Sequence, residues 1–384
     1  MVLKLLFRNA FRRKLRTFLT LCGMGVAILA FGLLRTVIDA WYAGVAGSSA
    51  NRLVTRNAIS ITFPLPLAYR DKIRAVEGVR NVSHGTWFGG IYIDMKNFFA
   101  NFAVEPETFL ELYPEYVLPE EQRLAFMKDR KACVVGTKLA KRFGWRIGDT
   151  ITLTGTIFPG NWDFVLRGIY RGRNKTADTT QFFFHWDYLN EHLKKNHLGW
   201  VDQVGFYFIS VADADLAPQI TEKVDRLFKN SYAETLTETE KAFQMGFVAM
   251  TEAILIVIKL VSFVVIVIIM AVVANTMAMS VRERLEEYAV LKTLGFGGTY
   301  LCVLILGESL LLSLLGTCLG IALTFPAADA FARSVGEYFP IFHVSTQTLW
   351  LDLIAGLAVG LVAAILPAWR AVSVPIAEGL GRIG

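Results

Sequence analysis

Four long apolar segments dominate the hydrophobic pattern of the chain. They cover residues 17–38, 260–280, 301–325 and 349–368. Each has about the 20 apolar residues that a helix needs to cross a bilayer. Polar and apolar positions mix between the first and second segments. The pattern predicts a membrane protein with four transmembrane helices and a large α+β domain inserted between helices 1 and 2.

Composition favours a membrane location over a wholly soluble or disordered protein. Hydrophobic residues make up 54% of the 384 positions and charged residues 19%, whereas a soluble domain has roughly 25% charged residues. The net charge of +6 could suggest nucleic-acid binding, but residues 39–248 carry 25 Lys/Arg and 24 Asp/Glu. The positive excess therefore lies beside the apolar segments, and we expect membrane lipids, not nucleic acid, as partners.

The basic residues also predict the orientation of the chain. Six Lys/Arg residues fall within positions 1–16, three lie between the second and third apolar segments, and two lie after the fourth. The loop between the third and fourth segments has only Arg333. Because cytoplasmic loops carry the excess of Lys and Arg, both termini are expected in the cytoplasm and residues 39–248 outside it.

Residues 1–16 have a helical pattern of their own, in which a basic stripe runs beside an apolar one. The basic stripe is Lys4, Arg8, Arg12 and Arg16, and the apolar stripe is Leu3, Phe7, Phe11 and Leu15. This pattern predicts one amphipathic basic helix that lies at the membrane interface. It leaves open whether the helix is a passive topology anchor or a lever that moves with a cytoplasmic partner.

The extracytoplasmic region alternates between strand-like and helix-like stretches. Alternating or continuous apolar positions predict strands at 58–63, 149–154, 165–170 and 204–211. Helical spacing predicts helices at 67–76, 107–113, 137–143 and 213–228.

The predicted organisation is a cytoplasmic amphipathic helix (1–16), a first membrane helix (17–38), an extracytoplasmic α+β domain with stalk helices (39–248), a stalk end with the second membrane helix (249–280), a cytoplasmic loop (281–300), a third membrane helix (301–325), a short extracytoplasmic loop (326–348), a fourth membrane helix (349–369) and a cytoplasmic tail (370–384).

The sequence has no motif for catalysis, nucleotide binding or metal binding. Gly295-Phe296-Gly297-Gly298 lacks the Lys and Ser/Thr that complete a phosphate-binding loop, so the chain is not expected to hydrolyse ATP. Three of the four cysteines lie in apolar runs, which argues against a disulfide framework or a four-thiolate zinc site. His185, His192 and His197 do not match one helix face. We therefore expect no enzyme activity, no catalytic residues and no cofactor or metal bound by this chain.

The cytoplasmic loop of residues 281–300 carries a short helical pattern. Arg284 and Glu287 are three positions apart, and Glu287 and Leu291 are four apart, so all three share one face. Gly295 is placed to end the helix. Periodicity alone does not distinguish a docking surface from a helix that only turns the chain.

Residues 282–295 have the pattern R-x-R-x-x-E-x-A-V-L-K-x-L-G. It resembles the loop signature of the FtsX/MacB-like permeases, the membrane subunits of type VII ABC transporters. L-P-A-W-R-A at 366–371, followed by P-I-A-E-G-L at 375–380, is similar to the closing motif of that family, although Trp369 stands where a basic residue is common. Residues 134–140 and 146–151 resemble weaker motifs of its external domain.

This resemblance implies that the chain transmits ATP-driven motion of a separate ATPase to its periplasmic domain, for export or for lipid or lipoprotein handling by mechanotransmission. MacB carries its ATPase fused ahead of the first membrane helix, whereas only a sixteen-residue basic helix precedes that helix here. The ATPase, which would bind the ATP and Mg, is therefore expected to be another chain. The loop helix would be the docking site of the ATPase. Its expected docking residues are Arg282, Arg284, Glu287, Tyr288, Leu291, Lys292 and Gly295.

The resemblance also implies a second permease copy, either identical or different, in a bacterial inner membrane, and it leaves room for a periplasmic adaptor. An alternative function fits the same loop: a non-transporting permease that regulates an extracytoplasmic enzyme such as a cell-wall hydrolase. An ATP-independent receptor or adhesin would leave the loop pattern unexplained. The substrate does not follow from the sequence.

Five residues of the last two apolar segments are expected to pack helices together. Gly316 and Gly320 in one segment, and Gly356 and Gly360 in the other, are spaced for close helix contact. Contacts within one bundle are the favoured use, over dimerisation. Glu308 is a carboxylate deep in the third segment, and its position favours hydrogen bonding between helices over proton coupling.

Overall fold

The structure, a computed structural model, describes residues 2–174, 177–196, 199–335 and 341–375. The helices are α1 (Val2–Ala10), α2 (Lys14–Trp41), α3 (Ala43–Gly47), α4 (Tyr69–Arg74), α5 (Pro106–Leu112), α6 (Glu120–Lys128), α7 (Thr137–Phe143), α8 (Trp186–Lys195), α9 (Ala217–Leu227), α10 (Glu240–Met250), α11 (Glu252–Glu283), α12 (Leu285–Thr293), α13 (Gly298–Val335) and α14 (Thr346–Ser373). The strands are β1 (Arg52–Asn57), β2 (Leu65–Pro66), β3 (Val79–Trp87), β4 (Gly90–Ile91), β5 (Asn101–Val104), β6 (Tyr116–Val117), β7 (Ala132–Gly136), β8 (Thr150–Gly155), β9 (Gly160–Gly172), β10 (Phe182–His185), β11 (Gln203–Val204), β12 (Phe206–Val211) and β13 (Thr235–Thr239).

Two compact units divide the chain. A helical unit contains Met1–Ala40, Thr251–Gly336 and Phe342–Gly384, and an α+β unit contains Trp41–Met250 and Glu337–Ile341. Four helices, α2, α11, α13 and α14, are long and apolar enough to cross a membrane. Each contains one of the predicted apolar segments and extends beyond it at both ends.

The helical unit is held together by a shared apolar core. Helix α14 packs against both α11 and α13. The core side chains include Met24, Ile28, Ile269, Val273, Met277, Leu304, Ile305, Val359 and Ala363. Many apolar residues of α11 remain exposed outside this core, as expected of a helix that faces lipid or another protein.

The prediction of one continuous helix over residues 1–16 is wrong. Helix α1 ends at Ala10, and α2 begins at Lys14 and continues as the first long apolar helix. The Thr17 hydroxyl donates to the carbonyl of Ala10, which satisfies one of the carbonyls exposed by the break. Leu6 and Ala10 of α1 are buried, whereas Phe7 of the expected apolar stripe is half exposed. Helix α1 packs against α13, with Leu6 beside Gly307, a long-range contact that local periodicity does not reveal.

A mixed sheet forms the centre of the α+β unit. Its strand order is β13-β1-β12-β3-β5-β10-β7-β9-β8-β4, with β6 paired to β9 and a separate β2–β11 pair. The β5–β10 and β7–β9 pairs are parallel and the others are antiparallel. Strand β10 shows how the two faces are used: Phe182 and Phe184 enter one apolar cluster, whereas Phe183 enters the other. Burial on both faces explains its continuous apolar sequence.

The predicted strand at 58–63 is wrong. The chain turns there, and Ile59 is 83% exposed. The strand lies just before it, at β1, and was missed because its buried side chains include polar ones. Arg52 is paired with Glu115 and Glu240, and Thr55 shares a hydrogen bond with the hydroxyl of Thr237 at 2.9 Å. Alternating hydrophobicity does not detect a strand whose polar side chains are buried in pairs.

Other predicted elements of this unit differ mainly at their ends. Helix α7 spans the predicted residues, and Gly144 stops it with a left-handed φ of 70°. Helix α4 is shorter than the predicted 67–76, and α9 begins only at Ala217, after a turn of 3-10 helix at Ala214–Leu216. Strand β9 is longer than predicted. His197 and the closing residues 376–380 lie outside the described residues.

Candidate functional site

A buried ion pair fixes the start of the loop helix to α13. Arg284 stands between α11 and α12, and its Nη1 donates to Glu308 Oε2 at 2.7 Å. The Ser280 hydroxyl of α11 donates to Glu308 Oε1 at 3.3 Å. Arg284 and Glu308 are both buried. Because a buried charge that loses its partner costs about 3–5 kcal/mol, this contact strongly restrains the α11–α12 junction.

A second set of ion pairs ties the N-terminal segment to the same junction. Arg12 donates to Glu287 Oε1, and Arg13 and Arg16 both lie within ion-pair distance of Glu283, at 3.1 and 3.0 Å. Burial works against ionisation of Glu287, but hydrogen bonds from Arg12 and Arg284 outweigh it and lower the pKa of that carboxyl. Glu287 therefore joins the N-terminal segment to the loop helix as a charged group.

The far end of the loop helix is fixed to α14. The ammonium group of Lys292 donates to the carbonyl oxygens of Val372 and Val374, at 2.9 and 2.8 Å. Helix α12 then ends in a Schellman motif, in which Phe296 N donates to Leu291 O and Gly295 N donates to Lys292 O. Gly295 takes a φ of 88°, which a residue with a side chain rarely adopts. Both ends of α12 are thus held by other helices of the unit.

One face of α12 and the turn after it remains uncovered. Val290 is 47% exposed, Leu294 70% and Phe296 41%, and Glu286 is exposed on the same side. We call these four residues the loop surface. Glu286, Val290 and Leu294 recur every four positions, so they form one stripe. An exposed apolar stripe with an acidic residue, on a helix held at both ends, is suited to binding a protein partner.

Comparisons with known proteins give the family. The model of the FtsX-like permease C-terminal family matches residues 259–376. The model of the MacB-like periplasmic core domain matches residues 17–227, more than half of the chain. The chain is an ABC transporter permease of the FtsX/MacB type. It is accordingly a multi-pass membrane protein with a periplasmic or extracellular α+β domain, and an ABC permease of this kind works with an ATPase.

Similar proteins include an uncharacterized ABC transporter permease of Methanocaldococcus jannaschii, 24% identical over 94% of this chain and 93% of the relative. The macrolide export ATP-binding/permease protein MacB of Psychrobacter cryohalolentis is 31% identical over 29% of this chain and 16% of its own length. Among solved structures, the periplasmic region of MacB from Actinobacillus actinomycetemcomitans aligns with 53% of this chain and 95% of that chain, at 11% identity and a TM-score of 0.38.

The seven docking residues predicted for this permease fall into three groups. Arg282, Glu287 and Gly295 are exposed, and Leu291 and Lys292 are half buried. Arg284 and Tyr288 are buried inside the permease, where burial raises the pKa of the Tyr288 phenol to about 12. The sequence predicted a helix in this loop, and the structure has α12 there, but the docking residues predicted on it include side chains that hold the helix in place. None of the four residues of the loop surface is among the seven predicted docking residues, because only the packing shows which side of α12 is uncovered.

The four predicted packing glycines all lie where helices of this permease approach closely. A Cβ at Gly316 would lie 2.5 Å from Met24 Cγ, and one at Gly320 would lie 2.6 Å from Ile28 Cβ. Gly356 and Gly360 of α14 lie against Thr317 and Ser313 of α13 in the same way. The hydroxyl of Ser309 also donates to the Gly360 carbonyl at 2.7 Å. These contacts join α2, α13 and α14.

A polar cluster in the same helices escaped the sequence analysis. Asp39 accepts hydrogen bonds from Ser345 at 2.6 Å and Thr348 at 2.9 Å, which ties the end of α2 to the start of α14. One turn further along α14, Asp352 is fully buried, and neither of its carboxyl oxygens has a hydrogen-bond partner among the described residues. No group of three or more His, Cys, Asp or Glu side chains in the described parts of the chain could hold a metal ion.

Proposed function

We propose that this permease transmits ATP-driven motion of a separate ATPase to its extracytoplasmic domain, for export or for lipid or lipoprotein handling. The observation that carries the proposal is the way α12 is held. Its exposed loop surface is free to bind a partner, while its two ends are fixed by Arg284 and Lys292 to α13 and α14. The ATPase would dock on the loop surface.

The contacts of α12 explain how a displacement would spread. Movement of the loop surface would pull on α13 through the buried Arg284–Glu308 pair and on α14 through Lys292. It would also pull on the N-terminal segment through Glu287 and Arg12. Because packed helices behave as rigid bodies that have discrete arrangements, a shift at one end is carried along their length.

Helix α11 is long enough to carry such a shift through the membrane. Its 32 residues span about 48 Å, compared with a hydrocarbon core of about 30 Å. In this proposal its first residues lie on the extracytoplasmic side. A continuous helix that joins the loop to that side, without a proline, would transmit a push or a rotation to the stalk of the domain.

Substitution of the loop surface tests the docking part of this proposal. Leu294→Asp and Phe296→Asp should release the ATPase when the permease is purified from native membranes in mild detergent. A buried hot-spot side chain contributes about 2 kcal/mol or more, so its loss weakens binding by roughly thirtyfold. Tyr232→Asp is the matched control, because Tyr232 is an exposed aromatic residue of the α+β unit.

The number of ATPase copies bound and the ATPase turnover are measured in the same preparations. The wild type and the Tyr232→Asp variant should retain an ATPase at one copy per permease and show stimulated turnover. The loop-surface variants should fold and yet lose both. Normal assembly and turnover of Leu294→Asp and Phe296→Asp would show that the ATPase docks elsewhere.

A further inference from the structure

A cleft in the α+β unit has the features of a ligand site. It has a volume of about 510 Å³, within the range of about 300–1,000 Å³ that is typical of small-molecule sites. Apolar walls are supplied by Leu67, Pro106 and Trp186, and charged groups by Arg70 and four carboxylates. The cleft is independent of the loop surface, and no step of the proposed docking uses it.

His84 lies in the wall of this cleft with unused hydrogen-bonding capacity. The residue is only 4% exposed, and neither ring nitrogen has a hydrogen-bond partner among the described residues. Glu105 Oε2 is 3.5 Å from Nδ1, and the edge of the ring meets Trp186 with 4.8 Å between centroids. Burial, together with the charge of Arg70, lowers the pKa of the imidazole to about 3. The neutral ring therefore offers one donor and one acceptor.

Arg70 adds a second unused group beside His84. Its Nη2 pairs with Glu105 Oε1 at 2.8 Å, but its buried Nε has no partner among the described residues. Leaving buried polar groups unpaired costs about 1–3 kcal/mol each. A ligand oxygen that accepts a hydrogen bond from Arg70 Nε, or bonds with His84, would recover that free energy.

The charge of the cleft selects for a cation. Four carboxylates line it, those of Asp71, Glu105, Asp187 and Asp202. Arg70 neutralises Glu105, and Lys194 lies 3.0 Å from Asp202. Asp71 and Asp187 are exposed, and neither forms an ion pair with another residue in the described parts of the chain. Their negative potential attracts a positive ligand group and opposes an anion.

We propose that this cleft binds an organic ammonium ligand with an apolar body and a hydrogen-bond acceptor. The ammonium group lies near Asp71 and Asp187, where it remains partly hydrated. The apolar body packs against the walls formed by Leu67, Pro106 and Trp186. Inside the cleft, the acceptor atom of the ligand accepts hydrogen bonds from Arg70 Nε and from the imidazole N–H of His84.

Three small probes with the same apolar body and different charge test the proposal on the purified full-length permease in a nonionic detergent, without an ATPase. They are 4-(4-methoxyphenyl)butylamine and the alcohol and carboxylate of the same skeleton, whose methoxy oxygen is the hydrogen-bond acceptor in each probe, and binding is followed by calorimetry and by tryptophan fluorescence. The amine should bind at least about tenfold more tightly than the alcohol, a difference of about 1.4 kcal/mol, and the carboxylate should bind most weakly. Equal binding of the amine and the alcohol, or no binding of the amine, would overturn the proposal.

Substitutions then place the probe in this cleft. Asp71→Asn and Asp187→Asn change exposed side chains, so both variants should fold. Each should weaken binding of the amine and leave binding of the alcohol unchanged. Glu121→Gln, an exposed acidic residue of α6 that does not line the cleft, is the control and should bind the amine normally. His84→Leu should weaken binding of both the amine and the alcohol, because it removes a hydrogen-bonding group inside the cleft. Unchanged amine binding in both aspartate variants would contradict the assignment, whereas a failure of ATPase docking would leave the binding results unaffected.

Discussion

Removal of the Glu308 carboxylate should destabilise the permease far more than removal of the whole ion pair. Glu308→Ala leaves the Arg284 guanidinium buried without its 2.7 Å partner. Removal of one partner from a buried ion pair costs about 3–5 kcal/mol. Arg284 keeps Glu287 as a second, more exposed partner at 3.1 Å, so we expect a loss at the lower end of this range, about 3 kcal/mol or roughly two orders of magnitude in the folding equilibrium constant. Replacement of both partners with Met removes the charge and keeps the volume, so the double variant should lie within about 2 kcal/mol of the wild type.

The assay is reversible unfolding in mixed micelles, with the free energy of unfolding measured for the wild type, Glu308→Ala, Arg284→Met and the double Met variant. We expect the double variant to recover most of the stability that Glu308→Ala loses. The double variant should still fail to couple ATPase motion to α13, since the loop helix is no longer tied to α13 by an ion pair. A loss below about 1 kcal/mol in Glu308→Ala, or a double variant as unstable as the single one, would refute the argument.

Three further predictions follow from other contacts. Arg12→Glu should reduce ATPase stimulation, and the added Glu287→Arg should restore part of it by re-forming the ion pair in reverse; no recovery in the double variant would argue against this contact. Gly320→Leu should prevent stable packing of α2 on α13, because its Cβ would lie 2.6 Å from Ile28, and an unchanged melting temperature would contradict this. The low pKa of His84, about 3 against 6.5 when unfolded, means that protonation favours the unfolded chain. Stability should therefore fall as the pH drops below about 6.5, less so in His84→Gln, and parallel pH profiles would refute this.

The helical unit was largely predictable because its signal is local. Twenty or more consecutive apolar residues identify a membrane helix without knowledge of its neighbours, and the four long helices were found this way. The N-terminal segment failed by the same reasoning. Helix α1 packs on α13, where Leu6 lies against Gly307, about 300 positions away in the sequence, and local periodicity does not reveal such a contact.

The sheet and the site were less predictable because both depend on pairing between distant residues. Strand β1 buries Arg52 beside Glu115 and Glu240, so its polar residues hid it from an analysis of apolar alternation. Glu287 also depends on pairing between distant residues. The sequence predicted it as a docking residue, and the structure shows that its carboxylate is ion-paired with Arg12 and Arg284. A charge reversal at Glu287 would therefore break internal contacts as well as any docking contact.

Site-specific photo-crosslinking from position 294 in native membranes tests the central claim most directly. Leu294 is the most exposed apolar residue of the loop surface, so a photoreactive side chain there should capture whatever binds α12. We predict a crosslink to an ABC ATPase, absent when the same group is placed at position 232. An intact, active complex that gives no ATPase crosslink from position 294 would contradict the account.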